Sequence, residues 1–194
     1  MGLFGGLRVG ECCGLEWRDI DFDGNKLSIN RSRQQIPNLP AYDKEPKSER
    51  SKRTITMPEI AMSLLRRHRK EQMELRFRLG SQWEHSDKVL TQWNGVPMNP
   101  QTPSHWLKKW LGENGLPHIT FHGLRHTHIT LLIANGVDLP TVSSHAGHSR
   151  ISTTLDRYTK ALKSKDTAAA DKLDDMIMSK FGTKPEQRKR VISE

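Results

Sequence analysis

Apolar residues recur along this chain at helical spacing far more often than they alternate. Between residues 59 and 79, Ile60, Leu64 and Leu65 mark the inner side of a long helix, with RRHRK at 66–70 on the outer side. Trp106, Leu107, Trp110 and Leu111 mark another, with Asn99 or Thr102 as its cap. Thr120 opens a third, which runs to about Ala134 and stops at the C-cap pattern Asn135-Gly136. Shorter helices are expected over 9–17, 137–145 and 152–161, and a last amphipathic one over 167–180.

Alternation is confined to the front half. Residues 26–33, 53–57 and 88–93 each read as a strand, the second stopped by Pro58 and the third by Asn94-Gly95. Asp19, Asp21, Asp23 and Gly24-Asn25 signal turns, and 36–52 form a polar loop. The opening MGLFGG is too short to be a helix with a buried face of its own. The expected class is α+β and mainly helical, with a small antiparallel three-stranded sheet.

A chain of 194 residues holds one domain with a real core, and two would be crowded. The net charge of +9 points to a polyanionic partner, most naturally nucleic acid, although membrane-surface proteins share such a balance. Cys12 and Cys13 are adjacent and have no other cysteine to pair with, so they read as small buried hydrophobes in a reducing compartment. No apolar run reaches the roughly 18 residues of a membrane span, and no signal sequence opens the chain. A cytoplasmic location is expected.

The chemistry concentrates in FHGLRH and in SHAGHSRISTTLDRYTK. His122 and Arg125 share a helix face, and an arginine fork suits two non-bridging phosphate oxygens. Arg8, in GLRVGE, could grip the same phosphate from another side, or be only a helix-end surface charge. Tyr158 in DRYTK is a nucleophile if a base assists its phenol, and otherwise a half-buried helix residue. His122 and His148 can move a proton near neutrality. Together these residues suit nucleophilic attack on a phosphodiester. His122 and His126 also have the i, i+4 spacing of zinc pairs, but Gly123 stands where a metalloprotease helix has glutamate, and no cysteine cluster supports a metal. Neither a metal nor an organic cofactor is expected.

In order and wording these segments resemble the catalytic domain of the tyrosine recombinase (phage integrase) family over about residues 5 to 162. GLRVGE followed by GLEWRDID is similar to the family's first box, whose arginine falls on Arg8 and whose supporting acid falls on Glu11. PKSERSKRTITMP resembles the hairpin that follows, with the family's lysine on Lys47 and Lys52 as the alternative. FHGLRHTHIT gives His122 and Arg125; AGHSRISTTLDRY gives His148 and the nucleophile Tyr158, with Ala146 where leucine or methionine is usual.

The resemblance implies an integrase-like catalytic domain over 1–180, lacking its first helices and the N-terminal DNA clamp, and a basic mobile tail over 181–194. It implies site-specific recombination of double-stranded DNA by homo-tetramers on paired sites, with an accessory DNA-bending or directionality factor. A DNA-binding remnant without catalysis and a type IB topoisomerase are the alternatives.

Overall fold

Ile20, Leu27, Ile29 and Ile55 point the same way from three short strands, and the front of the molecule is built on that apolar strip. The computed structural model describes residues 1–45 and 52–147. Strands β1 (Ile20–Asp21), β2 (Lys26–Ile29) and, further along the chain, β5 (Arg53–Thr56) form an antiparallel sheet in the order β1-β2-β5. Leu27 lies opposite Ile20 on one side and Ile55 on the other. Asp21 closes the β1–β2 turn by accepting from the amides of Asp23 and Gly24. Two further strands, β3 (Ser32–Gln34) and β4 (Tyr42–Lys44), pair as a separate hairpin.

The expected three-stranded sheet is present, but 88–93 is not its third strand. That segment makes single bridges, Glu16 with Lys88 and Thr91 with Pro97, and doubles back within five residues through Gln92 N–H to Val96 O. It is too short to align a ladder, and β1 takes the edge instead. The expected strand 26–33 likewise divides into β2 and β3.

Six helices complete the described part: α1 (Gly2–Gly5), α2 (Val9–Gly14), α3 (Glu59–Leu79), α4 (Thr102–Glu113), α5 (Phe121–Ala134) and α6 (Leu139–Ala146). The expected helix 9–17 ends early, and a 3₁₀ turn follows over Trp17–Asp19. Contrary to expectation, MGLFGG does form a helical turn with a buried side. Gly2 and Gly5 have no side chain to hold α1 away, so a Cβ at Gly2 would lie 3.1 Å from the Phe121 ring of α5. On α3 the inner stripe is Ala61, Met62 and Leu65, while Ile60 and Leu64 face solvent. Ile60 and Leu64 are four apart and share a stripe, rotated away from the one that meets the sheet. On α4, Leu107 and Leu111 go inside, and Trp106 and Trp110 stack on each other at the surface, 6.1 Å apart.

Helix α2 lies directly on β3. A Cβ on Gly10 would come within 2.7 Å of Arg33 O, and one on Gly14 within 3.1 Å of Arg31 O. Glycines at i and i+4 therefore let α2 sit against the strand backbone. Below this contact, Lys88 is buried and its ammonium meets Gly14 O (3.0 Å), Glu16 Oε1 (2.8 Å) and Asp43 Oδ2 (2.6 Å). Arg31 also bridges Glu16 and Asp19. A buried cation with all its donors matched joins α2, β4 and the 88–90 crossing. Lys88→Ala is expected to lower stability by about 3 kcal/mol, because two carboxylates lose their shared cation. Urea unfolding at neutral pH reads this directly, and a loss under about 1 kcal/mol would show that solvent replaces the ammonium.

Candidate functional site

Helix α2 begins at Arg8, whose backbone is extended, and ends its first turn with Glu11. The Glu11 carboxylate turns back to accept the Arg8 amide at 2.9 Å and Arg8 Nη1 at 2.8 Å. It is also gripped from the sheet side by Arg53, with Nη1 to Oε1 at 3.1 Å and Nη2 to Oε2 at 2.9 Å. Four donors thus fill the acceptor capacity of one carboxylate. Burial alone would raise the Glu11 pKa, but the Arg53 and Arg8 contacts outweigh it and hold the group at about 2. Glu11 is ionised and fixed.

Helix α6 delivers its C-terminus to the same place. Asp138 caps its start by accepting the Thr141 amide at 2.9 Å, and Gly147 closes its end at φ +60°. The last carbonyls of a helix lack partners within it and carry its negative dipole end. Here three consecutive ones are each taken by a different arginine. Arg53 Nε donates to His145 O at 3.0 Å, Arg125 Nη2 donates to Ala146 O, and Arg8 Nη2 donates to Gly147 O at 3.1 Å. Arg125 Nη1 reaches the opposite way to Gly6 O, which joins α5 to the α1–α2 connection. Arg125 is 1% exposed, Arg53 nearly as buried, and the Arg8 side chain 45% exposed. The arrangement is a cluster of three cations graded in burial, whose outermost member, Arg8, faces solvent.

Histidines line its other wall. The His128 and His145 rings stack at 5.7 Å, and His128 Nε2 and His145 Nδ1 are buried with no hydrogen-bond partner among the described residues. Burial, then the neighbouring His145 and more weakly Arg125, push His128 down to about 4, although a bond from its ring to the Leu3 backbone acts the other way. Burial and then Arg53 lower His145 as well. His128 is therefore neutral at pH 7. His122 opens α5, is exposed, and meets His126 edge-on at 4.4 Å. Cys12 and Cys13 are buried thiols raised by burial to about 12 and 11. Among the described residues, no three His, Cys, Asp or Glu side chains come together as a metal site, and no helix is long and apolar enough to cross a membrane.

Of the residues singled out in the sequence, Arg8 and Arg125 converge on residues 146–147, and His122 stands one turn before Arg125 on α5. Lys52 is exposed at the foot of β5. Lys47, His148 and Tyr158 lie outside the described residues. The sequence reading missed Arg53, taken only as the first residue of a strand. Its one signal is an arginine opening an otherwise apolar and threonine-rich strand. The reading assigned the Arg125 fork to phosphate oxygens; its described bonds run to the carbonyls of Gly6 and Ala146.

The profile of the phage integrase family matches residues 3–165. A tyrosine recombinase XerC-like protein of Caldanaerobacter subterraneus subsp. tengcongensis is 33% identical over 184 residues, 89% of this chain and 47% of that protein. The ICEBs1 integrase of Bacillus subtilis is 31% identical over 172 residues, 89% of this chain and 46% of its own length. The chain thus spans about half the length of these relatives. Among solved structures, the Tn1549 transposon integrase in complex with transposon right end DNA superposes with a TM-score of 0.69 at 25% identity, covering 87% of this chain and 56% of that one. The XerA recombinase gives 0.64 at 23% identity, covering 86% and 54%.

The two kinds of depressed group set the acid response. His128 favours its neutral form in the fold, so its contribution is whole above its ordinary 6.5 and is lost as pH falls to about 4. Glu11 favours its charged form, so its contribution is whole above 4.5 and is lost as pH falls to about 2. Stability is therefore expected to fall in two successive stages on acidification. Glu11→Gln is expected to shrink the lower stage by about 3 kcal/mol, the remainder belonging to carboxylates such as Glu16 and Asp43 that are also held down by cations, and to leave the upper one. Urea midpoints between pH 7 and 2 test this; an unchanged lower stage in the variant would refute the assignment.

Proposed function

The chain belongs to the phage integrase family, and from that premise we propose that it breaks and rejoins DNA at specific sites to move a mobile element. Tyr158 Oη attacks the scissile phosphate, forming a 3′-phosphotyrosyl bond and releasing the 5′-oxygen. Lys47 protonates that oxygen as it leaves, and Arg8 and Arg125 stabilise the charge that builds on the non-bridging oxygens. His122 and His148 take and return protons around the same phosphate. Attack by a 5′-hydroxyl of the partner strand reverses the step, breaks the phosphotyrosyl bond and frees Tyr158. The bond energy is conserved in the link, so neither a nucleotide nor a metal is required.

The observation that carries this reading is the convergence of Arg8, Arg53 and Arg125 on the end of α6, directly before His148 in the chain. Cationic donors held rigid by protein bonds need no rearrangement when charge develops. The excess of nine positive charges suits a duplex partner. We assign the working form to a tetramer on two paired DNA sites in the cytoplasm, assisted by a DNA-bending or directionality factor.

Nicked duplexes tiled across the DNA that flanks the gene provide the test. The wild-type chain is expected to give an SDS-resistant protein–DNA adduct on one of them, Tyr158→Phe none, and Arg8→Ala a rate lower by about 10²–10³-fold. Binding without any adduct would replace the enzymatic reading with that of a DNA-binding protein.

A further inference from the structure

We propose that Arg53 is a positioning residue of the cleavage site, setting the end of α6 and the Arg8–Glu11 pair in one geometry. This rests on the recombinase reading above, which counts Arg53 in the cationic cluster but gives it no step of the reaction. Four observations bear on it. The Arg53 side chain is 6% exposed, so it is held for its bonds rather than offered to a ligand. Both of its terminal nitrogens bond Glu11, the same carboxylate that holds Arg8. Its remaining nitrogen, Nε, bonds His145 O. Its guanidinium also lies flush against Gly147, where an added Cβ would be 2.6 Å from Nη1 and 2.8 Å from Cζ.

One rigid fork therefore spans two elements far apart in sequence, the start of α2 and the end of α6. A guanidinium has donors in fixed directions, so the Glu11 carboxylate and the His145 carbonyl are oriented relative to each other by the plane of a single group. Gly147 is the last described residue before His148, and its left-handed backbone fixes how the chain leaves α6. Any side chain there would both strain φ and push Arg53 off its partners. Arg53 also opens β5, immediately after the loop that carries Lys47 and Lys52. A shift of about 1 Å at such a group costs about 10²-fold in rate without touching substrate affinity.

The test compares wild type, Arg53→Ala and Arg53→Lys as full chains on the nicked duplex that wild type cleaves. Single-turnover cleavage at saturating DNA is expected to fall about 100-fold in Arg53→Ala and about tenfold in Arg53→Lys, with DNA affinity within about twofold in both. Amide hydrogen exchange read by NMR should quicken at least about tenfold at Ala146 and Gly147 in Arg53→Ala, relative to Ile129 and Ile133 in α5. Should Arg53→Ala fail to fold, Arg53→Lys decides, because an ammonium keeps the charge but lacks the planar fork that meets both Glu11 oxygens and His145 O in fixed directions.

Wild-type cleavage rates in either variant would overturn the proposal, as would equal loss of binding and cleavage. Absence of any wild-type adduct would sink the recombinase reading alone. The exchange measurement then still judges Arg53, and unchanged protection at Ala146 and Gly147 would overturn its positioning role.

Discussion

Three guanidinium groups, those of Arg8, Arg53 and Arg125, are held within one small volume, and Glu11 is the carboxylate bonded to two of them. That close packing of like charge is the constraint on which the candidate site depends. Two buried or half-buried cations facing each other would repel by several kcal/mol at a protein's effective dielectric. Glu11 offsets this for Arg8 and Arg53, and its own burial is offset by four donated bonds. The third cation, Arg125, takes its described bonds from carbonyl dipoles instead, at Gly6 and Ala146. Among the described residues three cations thus gather around the Glu11 carboxylate, and such a concentration of positive charge is the property an incoming phosphate would read.

Backbone geometry supplies the remaining negative potential. The α6 dipole ends where three carbonyls in a row point at the arginines, and Gly147 in its left-handed conformation makes that exposure possible. On the opposite flank, Gly10 and Gly14 bring α2 down onto β3, and this sets the height at which Arg8 and Glu11 stand. The buried Lys88 cluster beneath ties the far end of α2 to β4. The site is therefore braced by polar contacts from below and by glycines at the side, while the buried Leu7, Cys12 and Ile55 root its elements in the apolar core.

Much of this was legible in the sequence. Helical periodicity located α3, α4 and α5, and the caps Thr120 and Asp138 fall where short polar side chains precede apolar runs. The alternation of Leu27 and Ile29 gave β2. What periodicity could not supply was rotation about the helix axis. Ile60 and Leu64 satisfied the pattern as well as Ala61, Met62 and Leu65, and only contact with the sheet decided between them. The strand expected at 88–93 failed for a related reason: apolar content matched, but a buried lysine and a tight reversal used the backbone otherwise. Within the site, Arg8, Glu11 and Arg125 were readable because motif wording marks them. Arg53 was not, since its importance lies in partners 42 and 92 residues away, which no local pattern encodes.

Those separations have a consequence for how the molecule is assembled. Arg8 meets Gly147 across 139 residues, and Arg125 meets Gly6 across 119. Contacts of such high order carry the largest loop-closure entropy and form only after the intervening elements are in place. A chain emerging from the ribosome would hold its cationic cleft open until α6 is complete. Arg8 and Arg125 then close the α1–α2 connection onto the end of α6 and onto α5, so the cationic site is among the last of the described features made.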